Sequence, residues 1–142
     1  MRVTSLTDHY AIAGQIRPAD VAALRAAGFD LVVNNRPDGE APGQPEGAAI
    51  AQAAKAAGIG YCAIPVGGMG PTMDDIEMLA AQMDSAGKIL AFCYSGGRSA
   101  MLWALASARR GEAPEDVVAQ ALAAGQDLRG LRPLLDRLAP SA

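Results

Sequence analysis

The chain reads as an α/β protein: an open, mostly parallel sheet with helices on both faces. Apolar runs of strand length alternate with alanine-rich stretches of helical period, and no segment repeats. That pattern specifies a layered sheet-and-helix fold rather than a solenoid. One apolar run, Ile89-Leu90-Ala91-Phe92, ends abruptly at Cys93 and is followed by Tyr94-Ser95-Gly96-Gly97-Arg98-Ser99 and then by a helical stretch beginning at Ala100. Ligand sites of open α/β sheets lie beyond the carboxyl ends of the strands, and a strand that ends in Cys–loop–helix belongs at that edge.

In chain order, residues 3–16 carry a strand pair, with Tyr10-Ala11-Ile12-Ala13-Gly14 the clearer member. Pro18 suits the first position of a helix whose face is Val21 and Leu24, closed by Gly28. Residues 29–34 form a short apolar strand of the kind buried in a parallel sheet. A loop dense in Asn, Pro, Asp and Gly follows to residue 45. A helix over 46–57, with Ile50, Ala53, Ala54 and Ala57 on one side, leads through Gly58 into a strand over 59–66. After the glycine-rich loop 67–71, Thr72 and Asp75 have capping-box spacing, and Ile76, Leu79, Ala80 and Met83 make that helix's core stripe. The strand that delivers Cys93 comes next, then a helix over 99–110 and another opened by Pro114 with Val117, Val118, Ala121 and Leu122 inward. Residues 127–138 read as two short helical pieces broken at Pro133. Three loops, 34–45, 67–71 and 93–98, therefore meet at the carboxyl edge.

Composition bounds the function. With 142 residues and 51% hydrophobic content, residues 1–142 read as one domain, large enough to bury about two-thirds of its unfolded surface. A net charge of −3 with scattered basic residues argues against nucleic acid. No apolar run approaches the ~20 residues of a membrane helix, and no signal peptide is expected from the first residues. Two cysteines make no disulfide framework, so a reducing cytoplasm is the expected location. His9 is the only histidine; a zinc site is not expected, and no cofactor is called for.

Strand, glycine loop and helix start together make an anion site, because free N–H groups and the helix dipole converge there. Cys93 at its mouth gains thiolate character and is the candidate nucleophile. Arg98 offers a planar grip on an oxyanion, and Ser99 suits an N-cap whose hydroxyl also donates to the thiolate. The backbone of Tyr94, Ser95, Gly96 and Gly97 would line the cradle. Arg36, with Asn35 beside it, lies at a second strand end on the same edge and is a candidate second anion contact. Cys62 reads as a core residue, His9 as solvated, and Asp74 and Asp75 as partners of a helix dipole.

The runs Asn34-Asn35-Arg36-Pro37-Asp38-Gly39-Glu40, Ile64-Pro65-Val66-Gly67-Gly68 and Phe92-Cys93-Tyr94-Ser95-Gly96-Gly97-Arg98-Ser99-Ala100 resemble, in order, the bacterial family called beta-lactamase hydrolase-like protein, phosphatase-like domain. The resemblance implies a three-layer protein-tyrosine-phosphatase-like fold. Members occur alone or fused to metallo-hydrolase domains, and the stand-alone form is the expectation here. Phosphatases of this fold use Cys-x5-Arg, a His before the Cys, and an Asp on a mobile loop as general acid. In this chain four residues separate Cys93 from Arg98, Phe92 stands at the His position, and loop 67–71 carries no acid.

Rhodanese-type sulfurtransferases use a loop of this shorter length. A Cys93 persulfide would be held by the same N–H groups, and transfer of its outer sulfur needs no protonated leaving group. The expectation is therefore a sulfurtransferase, with a small anionic donor (thiosulfate or a persulfide) and an acceptor thiol as partners. The alternative is a phosphatase acting on a phosphorylated substrate through a Cys93 phosphocysteine, and the third reading is a non-catalytic anion- or phosphopeptide-binding module.

Overall fold

A computed structural model describes residues 1–140. Five strands form one sheet in the order β1-β2-β5-β3-β4. β1 (Val3–Thr7) and β2 (Tyr10–Ala13) are an antiparallel pair joined by a tight turn at Asp8-His9. β2 then pairs in parallel with β5 (Ile89–Phe92), β5 with β3 (Leu31–Asn34), and β3 with β4 (Gly60–Ala63). Every residue of β2, β3 and β5 is buried, as continuous apolar runs require when helices cover both faces.

The period of two along each strand sorts its side chains between two cores. Ala11, Ala13, Val32, Leu90 and Phe92 point to the face covered by α1 (Val21–Ala26) and α2 (Gly47–Ala57), where Val21, Leu24, Ile50 and Ala54 meet them. Tyr10, Ile12, Leu31, Val33, Ile89 and Ala91 point to the opposite face. There α3 (Met73–Ser85), α4 (Gly97–Arg109), α5 (Pro114–Ala123) and α6 (Arg132–Leu138) supply Ile76, Leu79, Leu102, Trp103, Val117 and Leu135. α4 lies innermost, with nine of its residues buried, which is why it lacks a polar stripe. Among the described residues no helix is long and apolar enough to cross a membrane, and no three His, Cys, Asp or Glu side chains are placed to hold a metal ion.

Several local readings change. The helix after Cys93 starts at Gly97 with Gly96 as its cap, so Ser99 is inside the first turn and is not the N-cap. Leu122 is 46% exposed, because Val117 and Ala121, one turn apart, already define the packed face of α5. Pro133 falls in the first turn of α6, where its missing N–H costs nothing, and the break lies ahead of it after a 3-10 turn at Arg129–Leu131. Pro18 likewise opens a 3-10 turn, Pro18–Asp20, before α1 begins. Thr72 and Asp75 form the expected capping box, each side chain paired with the other's backbone N–H.

The carboxyl ends finish level. Ala13, Phe92, Asn34 and Ala63 occupy one row of the sheet, so the next residues of four strands meet at one rim. Cys93 N–H donates to the Ala13 carbonyl at 3.4 Å, and Gln15 N–H to the Tyr94 carbonyl at 3.2 Å. That second contact needs a glycine between them: a Cβ on Gly14 would lie 2.9 Å from the Tyr94 oxygen. Replacing Gly14 with Ala is expected to cost about 1–3 kcal/mol, the usual range for overpacking, read as a lower urea midpoint at unchanged slope.

Candidate active site

Cys93 sits directly after β5, almost wholly buried. Beyond it the chain turns through Gly96, whose φ of +98° is open to glycine at little cost, and enters α4. Gly96 N–H donates to Cys93 Sγ at 3.1 Å. The first N–H groups of a helix have no intrahelical acceptor, and in α4 those of Gly97, Arg98 and Ser99 are of this kind. Burial would raise the Cys93 thiol. The backbone and hydroxyl of Ser99 and the N–H groups of Ser95 and Gly96 outweigh it, holding the thiol below its ordinary value. Ser99 Oγ is buried with no hydrogen-bond partner among the described residues, which leaves its hydroxyl free to serve the sulfur or an anion bound beside it. The half-buried Cys62 has no such donors, and burial pushes its thiol up.

Arg98 is held along one edge. Its Nη1 donates to Glu40 Oε2 at 2.7 Å and to the Val66 carbonyl at 2.8 Å, and its Nη2 to Glu40 Oε1 at 2.9 Å. Its Nε–H and one Nη2 hydrogen go to no oxygen or nitrogen among the described residues, and Cys93, by its charge and a side-chain contact, favours the cationic form. A guanidinium fixed on one side with its other fork open is suited to a bidentate grip on an oxyanion.

Arg36, 6% exposed, shares the same carboxylate. Its Nε donates to Glu40 Oε1 at 2.9 Å and its Nη1 to Gln15 Oε1 at 2.9 Å, while its guanidinium lies 5.0 Å from the centre of the Tyr94 ring. The pair of arginines, Arg98 first and then Arg36, holds the Glu40 carboxyl down at about 2. At neutral pH Glu40 is therefore an anchor for two cations and holds no proton to give.

The structure thus brings Cys93, Tyr94, Ser95, Gly96, Gly97, Arg98, Ser99 and Arg36 to one rim. Asn35 does not join them: it is completely buried, and its amide nitrogen donates to the Ile64 carbonyl at 2.9 Å. It braces the chain leaving β4, so its placement as an anion contact is replaced by a structural one. Glu40 was not singled out by the sequence reading. The signal available was charge: two arginines at one strand edge need a counter-ion, and Glu40 lies four residues after Arg36.

Three outcomes test this geometry. Alkylation by iodoacetamide followed by mass spectrometry is expected to give Cys93 a midpoint well below that of Cys62. Ser99→Ala is expected to move the Cys93 midpoint upward, and an unchanged midpoint would assign the low pKa to the amides alone. Glu40 has a depressed folded pKa, so the stability it lends is full above the ordinary carboxylate range and is lost as pH falls toward 2. Glu40→Gln should flatten the stability–pH curve below about pH 4.5 in acid titrations followed by circular dichroism.

Comparisons with known proteins fit this arrangement. A protein of Agrobacterium fabrum, the beta-lactamase hydrolase-like protein, is 40% identical over 112 residues, which are 78% of this chain and 26% of that protein; the chain thus spans about a quarter of its length. A crystal structure from Neisseria meningitidis, provisionally assigned as a phosphatase, is 31% identical with a TM-score of 0.80 and covers 97% of this chain and 99% of its own. The kinase associated phosphatase, 18% identical with a TM-score of 0.70 over 99% of this chain and 96% of its own, shares the fold, which is protein-tyrosine-phosphatase-like. The family model described as beta-lactamase hydrolase-like protein, phosphatase-like domain matches residues 2–110, and the chain belongs to that family.

Proposed function

We propose that the chain is a cysteine-dependent phosphatase in which Cys93 is the nucleophile. The observation that carries this reading is the ring of donors around one buried sulfur: three backbone N–H groups and a hydroxyl, with the open fork of Arg98 beside them. In the first step the Cys93 thiolate attacks phosphorus. An S–P bond forms, the P–O bond to the leaving group breaks, and the leaving oxygen departs with the bonding pair. Arg98 and the loop amides hold the three remaining phosphoryl oxygens, where charge accumulates in the transition state. Water then attacks phosphorus, the S–P bond breaks, and inorganic phosphate leaves with the thiolate restored. The family's description as phosphatase-like and the phosphatase assignment of the Neisseria relative support this choice.

The leaving group sets the substrate class. Loop 67–71 carries no carboxylate, Glu40 is held ionised, and of the two acids that open α3 Asp75 is committed to its capping box and Asp74 is exposed to solvent. Such a site favours leaving groups that depart without a proton, so aryl phosphates are the preferred esters. General acid help is worth ~10²–10⁴-fold, and alkyl phosphates are expected to be slower by that order.

A second reading is sulfur transfer through a Cys93 persulfide, favoured by the four-residue spacing to Arg98 and the same acid-free loop. Thiosulfate or a low-molecular-weight persulfide would be the donor and a thiol the acceptor. One comparison separates the two. Phosphate release from p-nitrophenyl phosphate that falls to background in Cys93→Ser, without a gain of one sulfur on Cys93 after thiosulfate or glutathione persulfide, is the expected result. A Cys93 persulfide with negligible phosphate release would overturn the phosphatase in favour of sulfur transfer. If neither reaction occurs and sulfate binds in an Arg98-dependent manner, the domain is an anion-binding module.

A further inference from the structure

Beside the Cys93 loop lies a second hollow of about 240 Å³, bordered by Gln15, Arg17, Arg36, Gln44 and Tyr94. Its charge is unlike that of the rest of the chain. The protein carries a net −3, yet two arginines and no carboxylate line this hollow.

Each cation there has donors to spare. Arg36 spends Nε on Glu40 and Nη1 on Gln15, and its Nη2 has no hydrogen-bond partner among the described residues. Arg17 is exposed and its guanidinium is in no ion pair among the described residues. The nearest acid in sequence, Asp20, directs its carboxylate to the Arg17 backbone N–H at 2.8 Å. The Glu40 carboxylate is taken up by Arg36 and Arg98 together. Tyr94, 66% exposed, supplies a flat face with the Arg36 guanidinium 5.0 Å from its ring centre.

The hollow is contiguous with the reaction site. Tyr94 is the residue after Cys93, and Glu40 Oε1 accepts from both Arg36 Nε and Arg98 Nη2, each at 2.9 Å. The two guanidinia therefore lie on either side of a single oxygen atom. An anion held by Arg98 and another held at Arg36 and Arg17 are close enough to belong to one small molecule.

We infer that this hollow is a second-anion subsite, and that the preferred substrate is an aryl phosphate bearing a further anionic group, held by Arg17 and Arg36 against Tyr94. The inference rests on the phosphatase reading for its substrate class, while the subsite itself is a matter of binding. One exposed ion pair supports at most about a fivefold gain in affinity, and that is the effect to seek from Arg17.

The test pairs phenyl phosphate with 1,3-phenylene bisphosphate. Binding to Cys93→Ser is measured by calorimetry and turnover is measured in the native chain, both at low and high salt. The expected result is a bisphosphate preference of about fivefold beyond the statistical factor of about two, weakened by salt. Arg17→Ala should reduce that preference and Arg17→Glu should abolish it. Equal affinity for the two ligands, or a preference that survives Arg17→Glu, overturns the subsite while turnover of phenyl phosphate leaves the cysteine chemistry standing. An Arg17-dependent preference in binding, with no turnover of either ligand, supports the subsite and overturns the phosphatase. If neither ligand binds, the subsite is overturned.

Discussion

The central place of β5 is the constraint on which the site depends. It is hydrogen-bonded on both sides, to β2 and to β3, and all four of its residues are buried. The chain leaving it can only turn out at the carboxyl rim, at the row where Ala13, Asn34 and Ala63 also finish. The next residues of each strand are then neighbours whatever their spacing in sequence. Gln15, Arg36, Val66 and Arg98 come from four separate stretches, yet a run of four hydrogen bonds joins them, from Gln15 to Arg36, through Glu40 to Arg98, and on to the Val66 carbonyl. The same burial that fixes β5 takes Cys93 out of water, which by itself disfavours a thiolate. Only the converging donors of the turn and of α4 reverse that preference.

Much of this was legible in the chain. The alternation of short apolar runs and alanine-rich helices fixes a parallel sheet, because both faces of such strands must be covered. The Cys93 loop announces itself, since a core cysteine has no use for Gly96, Gly97 and Arg98 after it. The start of α4 was less legible. Paired glycines read as loop by propensity, yet Gly97 opens the helix, where a first-turn N–H needs no helical partner. Asn35 and Glu40 were each obscured by turn chemistry, which accounts for an Asn or an acid near Pro37 and Gly39 without any reference to distant residues. Their roles depend on partners far along the chain, Ile64 for one and Arg98 for the other.

Phosphoryl and sulfur transfer ask similar things of a cysteine loop: a thiolate, amides aimed at accumulating negative charge, and an arginine. They part at the leaving group. An alkoxide demands a proton at the moment of cleavage, whereas a phenolate or a sulfur leaving group does not. Since loop 67–71 offers no carboxylate, either proposed chemistry favours a group that departs easily. Contacts to the leaving portion then weigh more heavily in substrate choice, and Tyr94 is the exposed side chain nearest to Cys93 in sequence.

The carboxylate shared by Arg36 and Arg98 also bears on entropy. A free arginine side chain carries about 2 kcal/mol of rotamer freedom, and an anion that must first gather a wandering guanidinium loses that amount from its affinity. Here Glu40, Gln15 and the Val66 carbonyl restrict both side chains before any ligand arrives. The ordering belongs to folding rather than to binding. An oxyanion arriving at the rim therefore meets guanidinium groups that are already ordered, and its affinity is spared the cost of ordering them.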